Sequence, residues 1–168
     1  TIRYSFFSST GTIATGVTTS CTWMPPVSLA AQIPNATSGW GTILCDTYVN
    51  GSLVSTNTCA FQLTVPASVV PSISSVSIAE ATSGVADRFG GYVRTRSKLS
   101  VSITAAGAQG SSISSYRTSI DGVTYSGSSF TTNALNTAGN LTMTVTVTDS
   151  RGRTASTTRT TGTADTVN

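Results

Sequence analysis

The chain alternates apolar and polar residues over most of its length. Ile2, Tyr4 and Phe6 share one face of a first segment, with Arg3 and Ser5 on the other. This period of two places successive side chains on opposite sides of a strand. A turn is expected over Ser8–Gly11 and a short extended piece over Thr12–Thr15, followed by a strand over Thr19–Met24 that carries Trp23 and stops at Pro25-Pro26. Val27–Ile33 departs from the pattern, with Val27, Ala30 and Ala31 at helical spacing before Pro34; one helical turn is predicted there, the only one in the chain. Gly39-Trp40-Gly41 leads into a strand from Thr42 to Tyr48, and Asn50-Gly51 is a strong hairpin signal because a type I′ turn needs positive φ at both central residues. The return strand ends in the alternating run Cys59–Val65.

Pro66 and Pro71 bracket a short apolar stretch that resists helix, so 67–71 is read as a linker between a first lobe, 1–66, and a second, 72–162, with 163–168 a tail. In the second lobe, Ser72–Glu80 is a strand with Val76 and Ile78 inward, and Ala81–Gly91 a loop. A strand over Ser97–Thr104 carries Leu99, Val101 and Ile103 inward. Ser111–Ile120 and Val123–Tyr125 flank Asp121-Gly122, a second type I′ candidate. Asn140–Thr148 faces Leu141, Met143, Val145 and Val147 to a core, and Asp149–Arg153 turns it back into Thr154–Thr160. Short strands with turn signals every eight to twelve residues predict an all-β chain. Two immunoglobulin-like antiparallel sandwiches in tandem fit best, the first with too few strands to be complete. Since the chain opens directly on a strand, it reads as a segment of a longer protein.

Composition narrows the chemistry. Of 168 residues only 9% are charged, 38% are hydrophobic, and Ser and Thr supply about a third. A formal charge of +3 gives no argument for nucleic acid, no apolar run approaches the ~18 residues of a membrane span, and no signal peptide is visible. Histidine is absent, so a zinc site lacks ligands and a Ser or Cys nucleophile lacks its usual base. The remaining acid–base candidates are Asp46, Glu80, Asp87, Asp121, Asp149, Asp165 and the single Lys98, with no two carboxylates close in sequence. No enzyme activity and no cofactor are expected. Single acids at Asp87, Asp121 and Asp149 are too few for calcium.

Cys21, Cys45 and Cys59 read as small buried hydrophobes. A tight Asn50-Gly51 hairpin puts Cys45 and Cys59 on opposite faces, and a bulge within Ser52–Thr56 puts them on the same one, so any pairing stays open. Arg88, Arg94, Arg96 and Lys98 gather within eleven residues, either as an anion-binding patch or as solvated charge that guards a strand edge. Trp40, flanked by two glycines, and Tyr92 are candidate ligand-contacting aromatics, with core packing as the alternative.

Two stretches go beyond generic patterning. Gly11–Tyr48, containing T-W-x-P-P and I-P-N-A-T-S-G, is followed by Ala60–Gly84 with L-T-V-P-A-S-V-V-P. This ordered series resembles the serial immunoglobulin-like or fibronectin-like modules of minor structural proteins in the tails of siphoviruses that infect Firmicutes. Ser114–Phe130 and Thr144–Ser156 look like the following module. The resemblance implies a virion or tail location, other virion or tail subunits as partners in an oligomeric assembly, and a non-catalytic structural or adhesive role. It transfers no ligand residues. The alternative is a carbohydrate- or cell-wall-polymer-binding module of a surface adhesin, meeting a host glycan through Trp40, Tyr92 and the basic cluster.

Overall fold

The computed structural model describes residues 1–164. The chain divides into two compact units, Thr1–Val69 with Gln109–Ser111, and the remainder from Val70.

The first unit is one antiparallel sheet. Its strands are β1 (Ile2–Phe6), β2 (Ser9–Ala14), β3 (Ser38–Val49) and β4 (Ser52–Thr64), in the order β2-β1-β3-β4. The β1–β2 turn is tighter than the sequence predicts. Phe7 takes a positive φ of 52° and Phe6 pairs with Ser9, which leaves Gly11 inside β2 opposite Tyr4. Glycine is needed there for space: a Cβ would sit 2.7 Å from the Tyr4 ring. The strand expected over Thr19–Met24 does not form. This unpaired segment carries Trp23 over the sheet, where its ring stacks on Tyr4 at 4.8 Å and meets Phe61 edge-on at 5.9 Å. The helical turn at Val27–Gln32 is 3₁₀, and its Leu29 and Ala30 are buried. With Phe6 and Ile33, both buried, these side chains form the covered face of the sheet, so its second layer is irregular chain.

Both hairpin signals hold. Asn50 and Gly51 have φ of 49° and 79°, and Asp121 and Gly122 have 51° and 74°. The register of β3 on β4 shifts by one residue between Thr47 and Tyr48, so Val54 is extra. That bulge sets Cys59 opposite Ile43 and therefore on the same face as Cys45. No disulfide joins them. All three cysteines are free and exposed, contrary to the buried reading: Cys21 lies on the unpaired segment, and Cys45 and Cys59 on the open part of the sheet.

The second unit is a two-layer sandwich. One sheet has the order β10-β7-β5, from β5 (Ser72–Glu80), β7 (Leu99–Ala106) and β10 (Ser129–Thr131). The other has the order β6-β12-β11-β8-β9, from β6 (Tyr92–Val93), β8 (Ile113–Ile120), β9 (Val123–Ser126), β11 (Gly139–Asp149) and β12 (Thr154–Ala164). Pairing is antiparallel except between β12 and β6. Leu99, Val101 and Ile103 of one sheet pack with Ile120, Leu141, Met143 and Val145 of the other. A bulge at Ser74 brings Ile73 into phase with Val76 and Ile78 against this core. Where the pattern predicts only loop, a short helix α1 (Val85–Phe89) forms. Gly84 and Gly90 bracket it at φ of 77° and 68°, and five residues are too few to show a helical period in the sequence. β12 runs to Ala164, into the segment read as a tail.

Candidate functional site

The described carboxylates are occupied by structure. Asp46 stands mid-strand in β3 on the same face as Trp40, as the alternation requires, and is nearly buried. Arg3, from the neighbouring β1, donates to both of its oxygens, from Nε at 2.5 Å and from a terminal nitrogen at 3.0 Å, and Thr56 Oγ1 adds a third bond at 2.8 Å. These hydrogen bonds, the Arg3 one foremost, hold the carboxyl down to about 2. Glu80 accepts from Ser97 Oγ at 3.0 Å, and Asp121 accepts the Asn136 amide at 2.6 Å. Asp149 Oδ1 receives the amides of Arg151 and Arg153, both at 2.9 Å, as an Asp at the head of a turn does. Asp165 and the side chain of Asp87 lie outside the described residues. Among the described residues no group of three or more His, Cys, Asp or Glu side chains could hold a metal ion.

Of the six candidate contact residues, Trp40 belongs to the first unit and the other five to the second. Trp40 is 64% exposed. It pairs across β3–β4 with Gln62, and the adjacent Gly41 keeps its own face clear because a Cβ there would lie 2.7 Å from Phe61 and from the Ser5 carbonyl. Tyr92 packs against the hydrophobic core of the second unit. Arg88 and Arg96 share an open cleft of about 390 Å³ with Phe89, Ser83, Gly84 and Val85. Arg94 is half-buried, and Lys98 is exposed on the chain that binds Thr82 and Ala81 through its backbone. The structure thus brings together Arg88 and Arg96, and leaves Arg94, Lys98, Tyr92 and Trp40 out of that cleft.

Exposed apolar surface also lies elsewhere on the first unit. Tyr48, Val49, Leu53 and Val54, around the Asn50-Gly51 tip, are each at least half exposed. Alternation gives them to a strand pair but does not say whether a second layer covers that end. An apolar groove of about 250 Å³ also opens beside the 3₁₀ turn, between Pro25, Val27, Leu29, Ile33 and Val65.

Solved structures similar to this chain include the PKD1 domain of Vibrio anguillarum Epp, at 22% identity over 58% of this chain and 96% of that one, with a TM-score of 0.41. Fibronectin(III)-like modules of Clostridium thermocellum CbhA are similar at 13% identity over 77% of this chain and 87% of that one, also with a TM-score of 0.41. None of the curated proteins matches it. The siphovirus resemblance carried by the T-W-x-P-P and I-P-N-A-T-S-G series extends over nearly the whole chain: residues 1–163 match a family described as siphovirus protein of unknown function, DUF859, and the chain belongs to that family.

Proposed function

We propose that this chain is a non-catalytic structural module of a siphovirus virion, placed in or on the tail and assembled with other virion subunits. The observation that carries this reading is the family match over residues 1–163. Two features of the chain support it. Its described carboxylates serve turns, strands and an ion pair rather than converging on a cleft. Its polar surface is largely Ser and Thr on strands, a composition suited to a β scaffold rather than to a reaction centre. Peptide mass spectrometry of gradient-purified particles tests the reading: the chain's peptides are expected at a fixed ratio to the capsid protein. Peptides found in the lysate and missing from particles would overturn it.

The adhesive variant, a module that binds a host glycan or cell-wall polymer, is favoured by one observation: Trp40 presents an aromatic ring to solvent from a rigid strand. Aromatic rings on rigid elements supply contact area at low entropic cost. A glycan array distinguishes the two, with signal lost in Trp40→Ala expected only for the adhesive variant.

A further inference from the structure

The strand edges of the two units are treated differently. In the second unit, β6, β9 and β10 end their sheets with two, four and three residues, and β5 is broken by its bulge at Ser74. Short and bulged edges are the usual means of preventing edge-to-edge association. In the first unit, β2 has six residues and also meets a register shift. The remaining edge, β4, has thirteen residues. Its bulge lies close to the hairpin tip, so Ser55–Thr64 runs in unbroken register with Thr47–Ser38 of β3. Ser52–Thr64 contains no charged residue and no proline, and none of its thirteen residues is buried: Phe61 and Leu63 are half-buried and the other eleven are exposed. Half of its backbone N–H and C=O groups point away from β3, a row of donors and acceptors with no guard.

We infer that β4 is an assembly edge, and that its partner is β4 of a second copy of this chain, paired antiparallel to join two four-stranded sheets into one of eight. Neutrality selects this occupant. A charged edge meeting its own copy places like charges side by side, which disfavours the pairing, and β4 has none to place there. An antiparallel edge is also self-complementary under a two-fold axis perpendicular to the sheet, as an isologous contact requires. Such an axis keeps each face on its own side, so the register must set one residue opposite its own copy, with the axis midway between the two. The straight segment Ser55–Thr64 is centred between Cys59 and Ala60, so the two registers of greatest overlap put the axis at one or the other. With the axis at Cys59, the two exposed thiols face each other with Cβ atoms ~5 Å apart; with the axis at Ala60 they are diagonal, ~7–8 Å apart. The inference names a partner and a strand, and so goes beyond the virion role proposed above; that role is read from particles and this one from the isolated chain, so the two can fail separately.

Three measurements on the 168-residue chain test it. Sedimentation velocity is expected to show a concentration-dependent dimer. Thr58→Lys, at an exposed mid-edge position, is expected to raise the dimer dissociation constant by more than about tenfold, while Thr58→Val leaves the dimer in place. A Cys21→Ser, Cys45→Ser chain, which keeps Cys59, is expected to cross-link to dimer with a short bis-maleimide, whereas chains keeping only Cys21 or only Cys45 do so far less. Should Thr58→Lys alter the far-ultraviolet circular dichroism, Ala60→Lys replaces it, and the cross-link needs neither. A chain that sediments as monomer at hundreds of micromolar overturns the inference. So does a dimer indifferent to the lysine, or one in which Cys59 cross-links no better than Cys21.

Discussion

At the scale of single residues, two positions carry distinct physics. Asp46 has its carboxyl held at about 2 by Arg3 and Thr56, below the ordinary 3.8. A group whose folded value is depressed contributes stability that is complete above its unfolded value and is lost as pH falls through the folded one. The first unit is therefore expected to weaken from about pH 4 toward pH 2, and Asp46→Asn to remove that dependence while lowering stability at neutral pH. Both tryptophans, Trp23 and Trp40, lie in the first unit, so denaturant titrations followed by tryptophan emission at several pH values report on it alone. Parallel pH profiles for the two proteins would contradict the assignment. In the second unit, Val147 is fully buried, while Thr146 beside it shares an exposed hydrogen bond with Ser156 at 2.8 Å. Val147→Ala is expected to cost about 1–3 kcal/mol through lost burial and residual cavity, and Thr146→Ala a few tenths. Urea midpoints that fall equally would mean that both faces of β11 are covered.

At the scale of elements, glycine acts in the first sheet for two different reasons. Gly41 is in β3 at ordinary φ, but a Cβ there meets Phe61 and the Ser5 carbonyl at 2.7 Å. Gly51 has open space around it and a φ of 79°. Gly41→Ala is expected to cost about 1–3 kcal/mol by overpacking against backbone, and Gly51→Ala on the order of 1 kcal/mol by conformational strain. Tryptophan-monitored melts check both, and the ring contact predicts that Phe61→Leu partly rescues the first and not the second. The same strands show what the sequence could and could not reveal. The period of two located β1, β3, β7, β11 and their inward residues, and Asn50-Gly51 and Asp121-Gly122 located the hairpins, because these signals are local. The bulge at Ser74 was not legible, and the one at Val54 was left open between two registers, since each depends on what packs across the strand. The failure of Thr19–Met24 to pair has the same origin: its pattern suits a strand, but Trp23 is held by ring contacts with Tyr4 and Phe61, from strands distant in sequence. Of the candidate site, the sequence left Trp40 between core packing and exposure, because flanking glycines do not say what covers a strand, and the division of Arg88 and Arg96 from Arg94 and Lys98 depended on α1, which is too short to leave a period.

At the scale of the whole molecule, the two units differ in how they close. The second has two sheets that bury Leu99, Val101, Ile120, Met143 and Val145 between them, and Ser72–Ala164 expressed by itself is expected to melt in one cooperative transition. A molten, non-cooperative fragment would contradict the placement of its core. The first relies on one sheet and an irregular cover, and a unit of its size is marginal in the surface it can bury, so in a denaturant titration it is expected to unfold before the second. Scaffolding rather than turnover is the role proposed for both, so hydrolysis of peptidoglycan, glycans or esters is expected to be absent; activity lost on replacing any single Asp or Glu would overturn that. The central claim, a structural module of a siphovirus tail, is tested most directly by electron microscopy of purified particles labelled with gold-conjugated antibody fragments against this chain. Label at one fixed position along the tail, at a constant count per particle, is the predicted result. Unlabelled particles from a lysate that contains the chain, or label scattered without position, would contradict it.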